Sequence, residues 1–174
     1  MTPKVVLVGL PGAGKSTTGR RLAKILAAPF ADSDSLIEDQ EGVSIVELFA
    51  TVGEPRCREI EAAVIASALT TFEGVLSLGG GALTTAATRQ ALTASDVPVV
   101  YLRATLDQLS QRVGDGRTRP LLTGNPEARL ALLATERSAT YDELATIIVD
   151  TDGRSPGQVA ATVAARLHER RNAR

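Results

Sequence analysis

The sequence predicts an α/β domain, a parallel sheet layered between helices, from three observations. Short apolar runs rich in β-branched residues recur between helix-like segments: Val5–Val8, Pro29–Ala31, Val75–Leu78, Val97–Leu102 and Thr146–Val149. Strands that alternate with helices imply parallel pairing with crossover helices on both faces. The first run breaks into the glycine-rich stretch Gly9-Leu10-Pro11-Gly12-Ala13-Gly14-Lys15-Ser16-Thr17 before a helix begins. The chain's 174 residues, 44% hydrophobic and 22% charged, suffice for one well-buried domain and are short for two.

Val5–Val8 is apolar throughout, as a strand buried on both faces should be. Gly9, Gly14, Lys15 and Ser16 then match the phosphate-binding pattern G-x-x-x-x-G-K-[ST] at every specified position. Glycines let backbone N–H groups curl around an anion, and the following helix aims its positive end at it. Lys15 can reach the outer phosphates of a nucleoside triphosphate, and Ser16 can ligate Mg²⁺. The helix is expected from about Lys15, with Leu22, Ile25 and Leu26 on its buried face.

Ligands of parallel sheets sit at the carboxyl ends of the strands. Beyond the phosphate loop, the segments at that rim are Asp32-Ser33-Asp34, Gly79-Gly80-Gly81 and Asp150-Thr151-Asp152-Gly153-Arg154. Asp34 or Ser35 could cap a helix starting near Leu36, and Ser35 with Glu38 fits a capping box. Capping explains one carboxylate of the Asp32/Asp34 pair; a second one placed there without a partner is costly. Beside a phosphate site, one can hold Mg²⁺ through water while the other orients or deprotonates an incoming hydroxyl.

Ser44-Ile45-Val46-Glu47 is a capping box for a short helix ending near Phe49, and Gly53-Glu54-Pro55 opens a longer one. Its expected buried stripe is Ile60, Ala63, Val64 and Ala68. Arg58 and Glu61 are helical neighbours, read from periodicity as a surface pair worth a few tenths of a kcal/mol. Gly79-Gly80-Gly81 is costly in backbone entropy, which points to close approach of a ligand. From Arg112 to Gly124, glycines, Pro120 and the arginines Arg112, Arg117 and Arg119 read as a lid over the transferring phosphoryl group. Asn125-Pro126 starts the helix carrying Arg137 and Tyr141. Ser155-Pro156-Gly157-Gln158 starts the last helix, with Val159, Val163 and Leu167 inward and a charged tail, 169–174, expected to fray.

Composition narrows the partners. Lys and Arg total 19 against 20 Asp and Glu, a net charge of −1, so no global field recruits nucleic acid or an anionic membrane. A single cysteine, Cys57, and a single histidine, His168, provide neither a disulfide framework nor a Cys/His metal cluster, and His168 receives no role. The first strand begins within a few residues of Met1, leaving no room for a signal peptide, and no apolar run approaches the roughly 20 residues that span a bilayer. The expectation is a soluble, cytoplasmic, monomeric protein without nucleic-acid or membrane partners.

Taken together, these motifs resemble the shikimate kinases. The segments that carry the resemblance are Gly9–Thr17, Asp32-Ser33-Asp34 with Ile37-Glu38, Gly42-Val43-Ser44-Ile45, Gly53-Glu54 with Arg58 and Glu61, Leu78-Gly79-Gly80-Gly81, Arg119-Pro120-Leu121-Leu122, and Arg137 four residues before Tyr141. The resemblance implies a single domain over 1–174, a three-layer sandwich around a five-stranded parallel sheet of order 2-3-1-4-5. A substrate-binding region would span about 32–61 and a lid about 112–124. It also implies transfer of the γ-phosphoryl of ATP to the 3-hydroxyl of shikimate, in aromatic amino-acid biosynthesis, with Mg²⁺. Gly12, Ala13, Gly14, Lys15, Ser16 and Thr17 would hold the phosphates, and Ser16 and Asp32 the metal. Asp34 would bind the shikimate hydroxyls and act as base, while Arg58 and Arg137 grip the carboxylate, a reversal of the surface reading of Arg58. Gly79, Gly80 and Gly81 would present N–H groups to the substrate. Arg119 would be the lid arginine, with Arg117 as competitor, and Arg112, Arg154 and Pro156 would flank the adenine. Family members usually carry an aromatic residue where this chain has Cys57. The rival readings are a kinase for another hydroxy acid such as gluconate, whose family lacks the Asp-x-Asp-with-Ile-Glu and Arg-Pro-Leu-Leu motifs, and a nucleotide-dependent switch. A GTPase switch would need an Asn-Lys-x-Asp segment, and none is present.

Overall fold

A computed structural model describes residues 1–114 and 124–173. Five strands, β1 (Val5–Val8), β2 (Phe30–Asp32), β3 (Val75–Ser77), β4 (Val99–Arg103) and β5 (Ile147–Asp150), form one parallel sheet in the order β2-β3-β1-β4-β5. The sheet and its order match expectation, with strand bounds moved by one or two residues. Among the described residues seven α-helices surround it: α1 (Lys15–Ile25), α2 (Ser33–Glu41), α3 (Ile45–Thr71), α4 (Ala86–Ala94), α5 (Leu106–Val113), α6 (Pro126–Leu144) and α7 (Pro156–Asn172). β1 is central, paired with β3 on one side and β4 on the other, and all four of its residues are at most 1% exposed. An uninterrupted apolar run suits a strand covered on both faces. α1 and α7 pack together over one face, and α3, α4 and α6 form the layer on the other. Among the described residues no helix is long and apolar enough to cross a membrane.

Local choices differ from the sequence reading at five points. Ile25 lies at the edge of the buried arc of α1, which is made by Thr18, Gly19, Leu22 and Ala23, and is 51% exposed. α2 begins at Ser33, not near Leu36, and its cap is Asp32, whose side chain accepts from the Asp34 N–H at 3.2 Å. The helices expected to either side of Gly53 run as one element, broken where that glycine takes φ 77°. Beyond the break, Cys57, Glu61, Ala62, Val64, Ile65, Ala68 and Leu69 face inward, while Ala63 is exposed. α7 continues to Asn172, so most of the expected frayed tail is helical. The capping boxes at Ser44/Glu47 and Ser155/Gln158 and the Asn125 cap are present as expected.

A second, smaller core of Ile37, Leu48, Cys57 and Val64 joins α2 to α3 apart from the main core. It supports the region expected to hold the substrate.

Candidate active site

The phosphate loop connects β1 to α1 through Gly12 and Gly14, both at φ 86°, in the left-handed region that favours glycine. Gly14 is the N-cap of α1 and supplies no side chain; the first turn also has no acidic residue. The positive end of the helix is thus left for an external anion. Lys15 folds over the loop and donates to the carbonyls of Gly9 at 2.8 Å and Leu10 at 3.2 Å. Ser16 Oγ donates to Asp32 Oδ2 at 2.9 Å, so a hydroxyl and a carboxylate oxygen stand side by side at the start of α1. Hard oxygen donors of this kind fit Mg²⁺.

The nucleotide edge lies beyond the loop. Gly12, Gly14, Arg112, Thr151, Arg154 and Pro156 line a cavity of about 300 Å³. Arg112 donates to Thr151 Oγ1 at 2.8 Å and to its carbonyl at 2.9 Å, and it belongs to the last turn of α5; most of the segment expected to form the lid, 115–123, lies outside the described residues. Arg154 spans from the Asp150 carbonyl, at 3.1 Å, to Thr162 Oγ1 on α7. Arg117 and Arg119 lie outside the described residues.

A second cavity, of about 250 Å³, opens beside the loop between α2, α3 and the Gly79–Gly81 turn. Asp34, Arg58 and Glu61 line it, over an apolar wall that includes Phe49 and Cys57. The glycine turn is where these groups converge. A Cβ on Gly79 would lie 2.6 Å from Asp34 Oδ1 and 3.1 Å from Glu61 Oε1. One on Gly80 would sit 3.5 Å from Pro11 and 3.7 Å from an Arg137 guanidinium nitrogen, and one on Gly81 would fall inside the Arg58 guanidinium. The close approach inferred from three glycines is therefore made by the protein's own charged side chains. The Gly79 N–H donates to the buried Ser33 Oγ at 2.8 Å, so in this geometry it is already taken, unlike the substrate-facing role expected for it.

Arg58 is not a surface residue. Its side chain is 16% exposed and that of Glu61 6%, with 2.6 Å between Nη1 and Oε2. Its guanidinium also lies over the Phe49 ring and reaches Glu54 at 3.4 Å. Removing one member of a buried pair leaves an uncompensated charge, far costlier than loss of an exposed helical pair. Arg137 donates to the Gly80 carbonyl, which also accepts from Tyr141 Oη at 3.1 Å. Burial pushes the Tyr141 hydroxyl up to about 12, keeping it a donor. Glu61 and Tyr141 support the two arginines; the sequence reading paired Glu61 with Arg58 only as a surface neighbour and gave Tyr141 no role, the spacings of three and four being the available signals.

Asp34 keeps solvent contact at the cavity mouth, yet its carboxyl is pushed up to about 6. Loss of hydration is the largest cause, followed by the charges of Asp32 and Glu61, with Lys15 pulling the other way. A carboxylate so poised is a competent proton acceptor near neutrality.

The shikimate kinase family model matches residues 11–168. The chain belongs to the shikimate kinase family. A shikimate kinase of Mycobacterium avium (strain 104) is 50% identical over 169 residues, covering 96% of this chain and 94% of its own. One of Mycobacterium tuberculosis (strain ATCC 25177 / H37Ra) is 46% identical over 168 residues, with the same coverage. Among solved structures, the Acinetobacter baumannii shikimate kinase in complex with shikimate superposes with a TM-score of 0.90 at 34% identity, over 98% of this chain and 94% of that one. A gluconokinase of Sinorhizobium meliloti 1021, at 21% identity and a TM-score of 0.66, shares the fold alone. Family membership makes the chain an ATP-dependent phosphotransferase with α/β architecture.

Proposed function

We propose that the chain transfers the γ-phosphoryl of ATP to the 3-hydroxyl of shikimate, releasing shikimate 3-phosphate and ADP. The observation that supports this most is the gathering of Asp34, Arg58 and Arg137 on one glycine turn that abuts Pro11 of the phosphate loop. Two guanidiniums and a carboxylate suit a small acid that also carries hydroxyls. Arg58, held by Glu61 and Phe49, and Arg137, held by Gly80, grip the substrate carboxylate through N–H groups their protein partners do not use. That grip turns a hydroxyl toward Asp34, which takes its proton as the oxygen attacks phosphorus. Lys15, Gly12, Ala13, Gly14 and Thr17 hold the phosphates in line, and positioning with charge neutralisation supplies most of the rate. Ser16 and Asp32 would hold Mg²⁺, which neutralises phosphate charge when bound. Arg112, Arg154 and Pro156 flank the adenine. The lid is the segment of about 112–124, with Arg119 meeting the transferring group. Action as a single-domain cytoplasmic monomer completes the reading. Incubation with ATP and shikimate should yield a monophosphate ester at the 3-position by phosphorus NMR; phosphorylation elsewhere, or none, would refute it.

Three consequences can be measured. Asp34 must be ionised to accept a proton, and its carboxyl titrates near 6, so kcat/KM for shikimate should fall tenfold per pH unit below about 6. A profile flat down to pH 5 would remove Asp34 as the base. Arg137→Ala removes one charged carboxylate contact worth about 1.5–3 kcal/mol, so KM for shikimate should rise roughly tenfold to a hundredfold while KM for ATP stays within about twofold; equal effects on both would misplace Arg137. Gly81 sits at φ −94°, which any residue adopts, but a new Cβ there would displace the Arg58 guanidinium. Gly81→Ala should therefore copy the Arg137→Ala pattern without loss of fold, and an unchanged KM for shikimate would show that Arg58 does not bind it.

A further inference from the structure

A larger cavity, of about 380 Å³, lies at the opposite edge of the sheet. Lys4, immediately before β1, and Pro98, immediately before β4, place it at the amino ends of the strands, whereas the catalytic groups occupy the carboxyl ends. Its volume falls within the range of small-molecule sites. Leu26, Pro98 and Leu167 supply an apolar floor, and Lys4, Arg170 and Arg171 a cationic rim, with His168 3.4 Å from Arg171 and with Arg170 shared with a neighbouring cavity that also holds Asp96 and Glu143. Among the described residues none of these three cations forms an ion pair. The Arg170 Nε is buried and has no hydrogen-bond partner, a state few buried donors show. Arg170 and Arg171 complement the negative end of α7. That role does not account for Lys4, which comes from a different segment, or for the apolar floor.

We propose that this cavity binds a small organic anion: a ring-sized apolar body seated on Leu26, Pro98 and Leu167, with a carboxylate, sulfonate or phosphate head taken by Lys4, Arg170 and Arg171. The site is separate from the phosphate loop and the Gly79–Gly81 turn, so it fills whether or not the catalytic cavities are occupied. Exposed cations carry much of the recognition, so ionic strength weakens it.

Fluorescence titration of the full chain with 1-anilinonaphthalene-8-sulfonate, in saturating ADP and shikimate, tests this. Saturable binding of one probe per chain is expected. The double variant Lys4→Ala/Arg171→Ala, both positions being exposed, should weaken it at least tenfold with kcat and both KM values unchanged. The uncharged analogue N-phenyl-1-naphthylamine should bind at least tenfold more weakly than the sulfonate. No saturable binding, displacement by ADP or shikimate, a double variant within twofold of the parent, or equal affinity for the neutral analogue would each overturn the proposal.

Discussion

Asp34→Asn is expected to reduce kcat by about 10²–10⁴, the range typical of a lost general base, while stabilising the fold. Both effects have one origin. The pocket holds the Asp34 carboxyl near 6 through lost hydration and the neighbouring charges of Asp32 and Glu61. A folded-state value raised above the ordinary 3.8 means that ionisation opposes folding. Stability from this group is complete below about 3.8 and is lost as pH rises through about 6. Asparagine cannot ionise, so its Tm advantage over the parent should be present at pH 8 and vanish near pH 4. The cap of α2 is untouched, because Asp32 supplies it. Near-normal kcat would leave Asp34 as a structural residue of α2, and a pH-independent Tm difference would detach its charge from the folded-state balance.

Lys15→Ala should lower kcat/KM by about 10³ or more, comparable to removing a principal transition-state charge. The ammonium lies over the loop, on the Gly9 and Leu10 carbonyls, where the outer phosphates of a triphosphate would lie. The same charge draws the Asp34 carboxyl downward. The residual activity of Lys15→Ala should accordingly show its acid limb at higher pH than the parent. Retention of most activity would refute the placement of Lys15 on the phosphates; an unmoved acid limb would sever it from Asp34.

What the sequence disclosed and what it hid divide along the range of the interactions. The loop and its helix were legible because Gly12, Gly14, Lys15 and Ser16 act on one another within a few residues. Strand order followed from the family resemblance and not from the apolar runs, which look alike. The Asp32 cap was misplaced by two or three residues because Asp32, Asp34 and Ser35 can all cap. Asp32 is the cap in use, and Ser33 beside it accepts from the Gly79 N–H 46 positions away, a contact that local spacing does not reveal. Arg58 and Glu61 were legible as neighbours but not as buried ones. Spacing fixes which side chains meet on a helix, while the direction of that face depends on the break at Gly53 and on the glycine turn beneath it. The three glycines advertised a close approach without saying what approaches.

ADP release measured with shikimate, quinate and gluconate as acceptors tests the central assignment most directly. One ADP per shikimate consumed is expected, with little release from gluconate and negligible ATP hydrolysis without an acceptor. ATP turnover indifferent to shikimate, or gluconate accepted as readily, would contradict it.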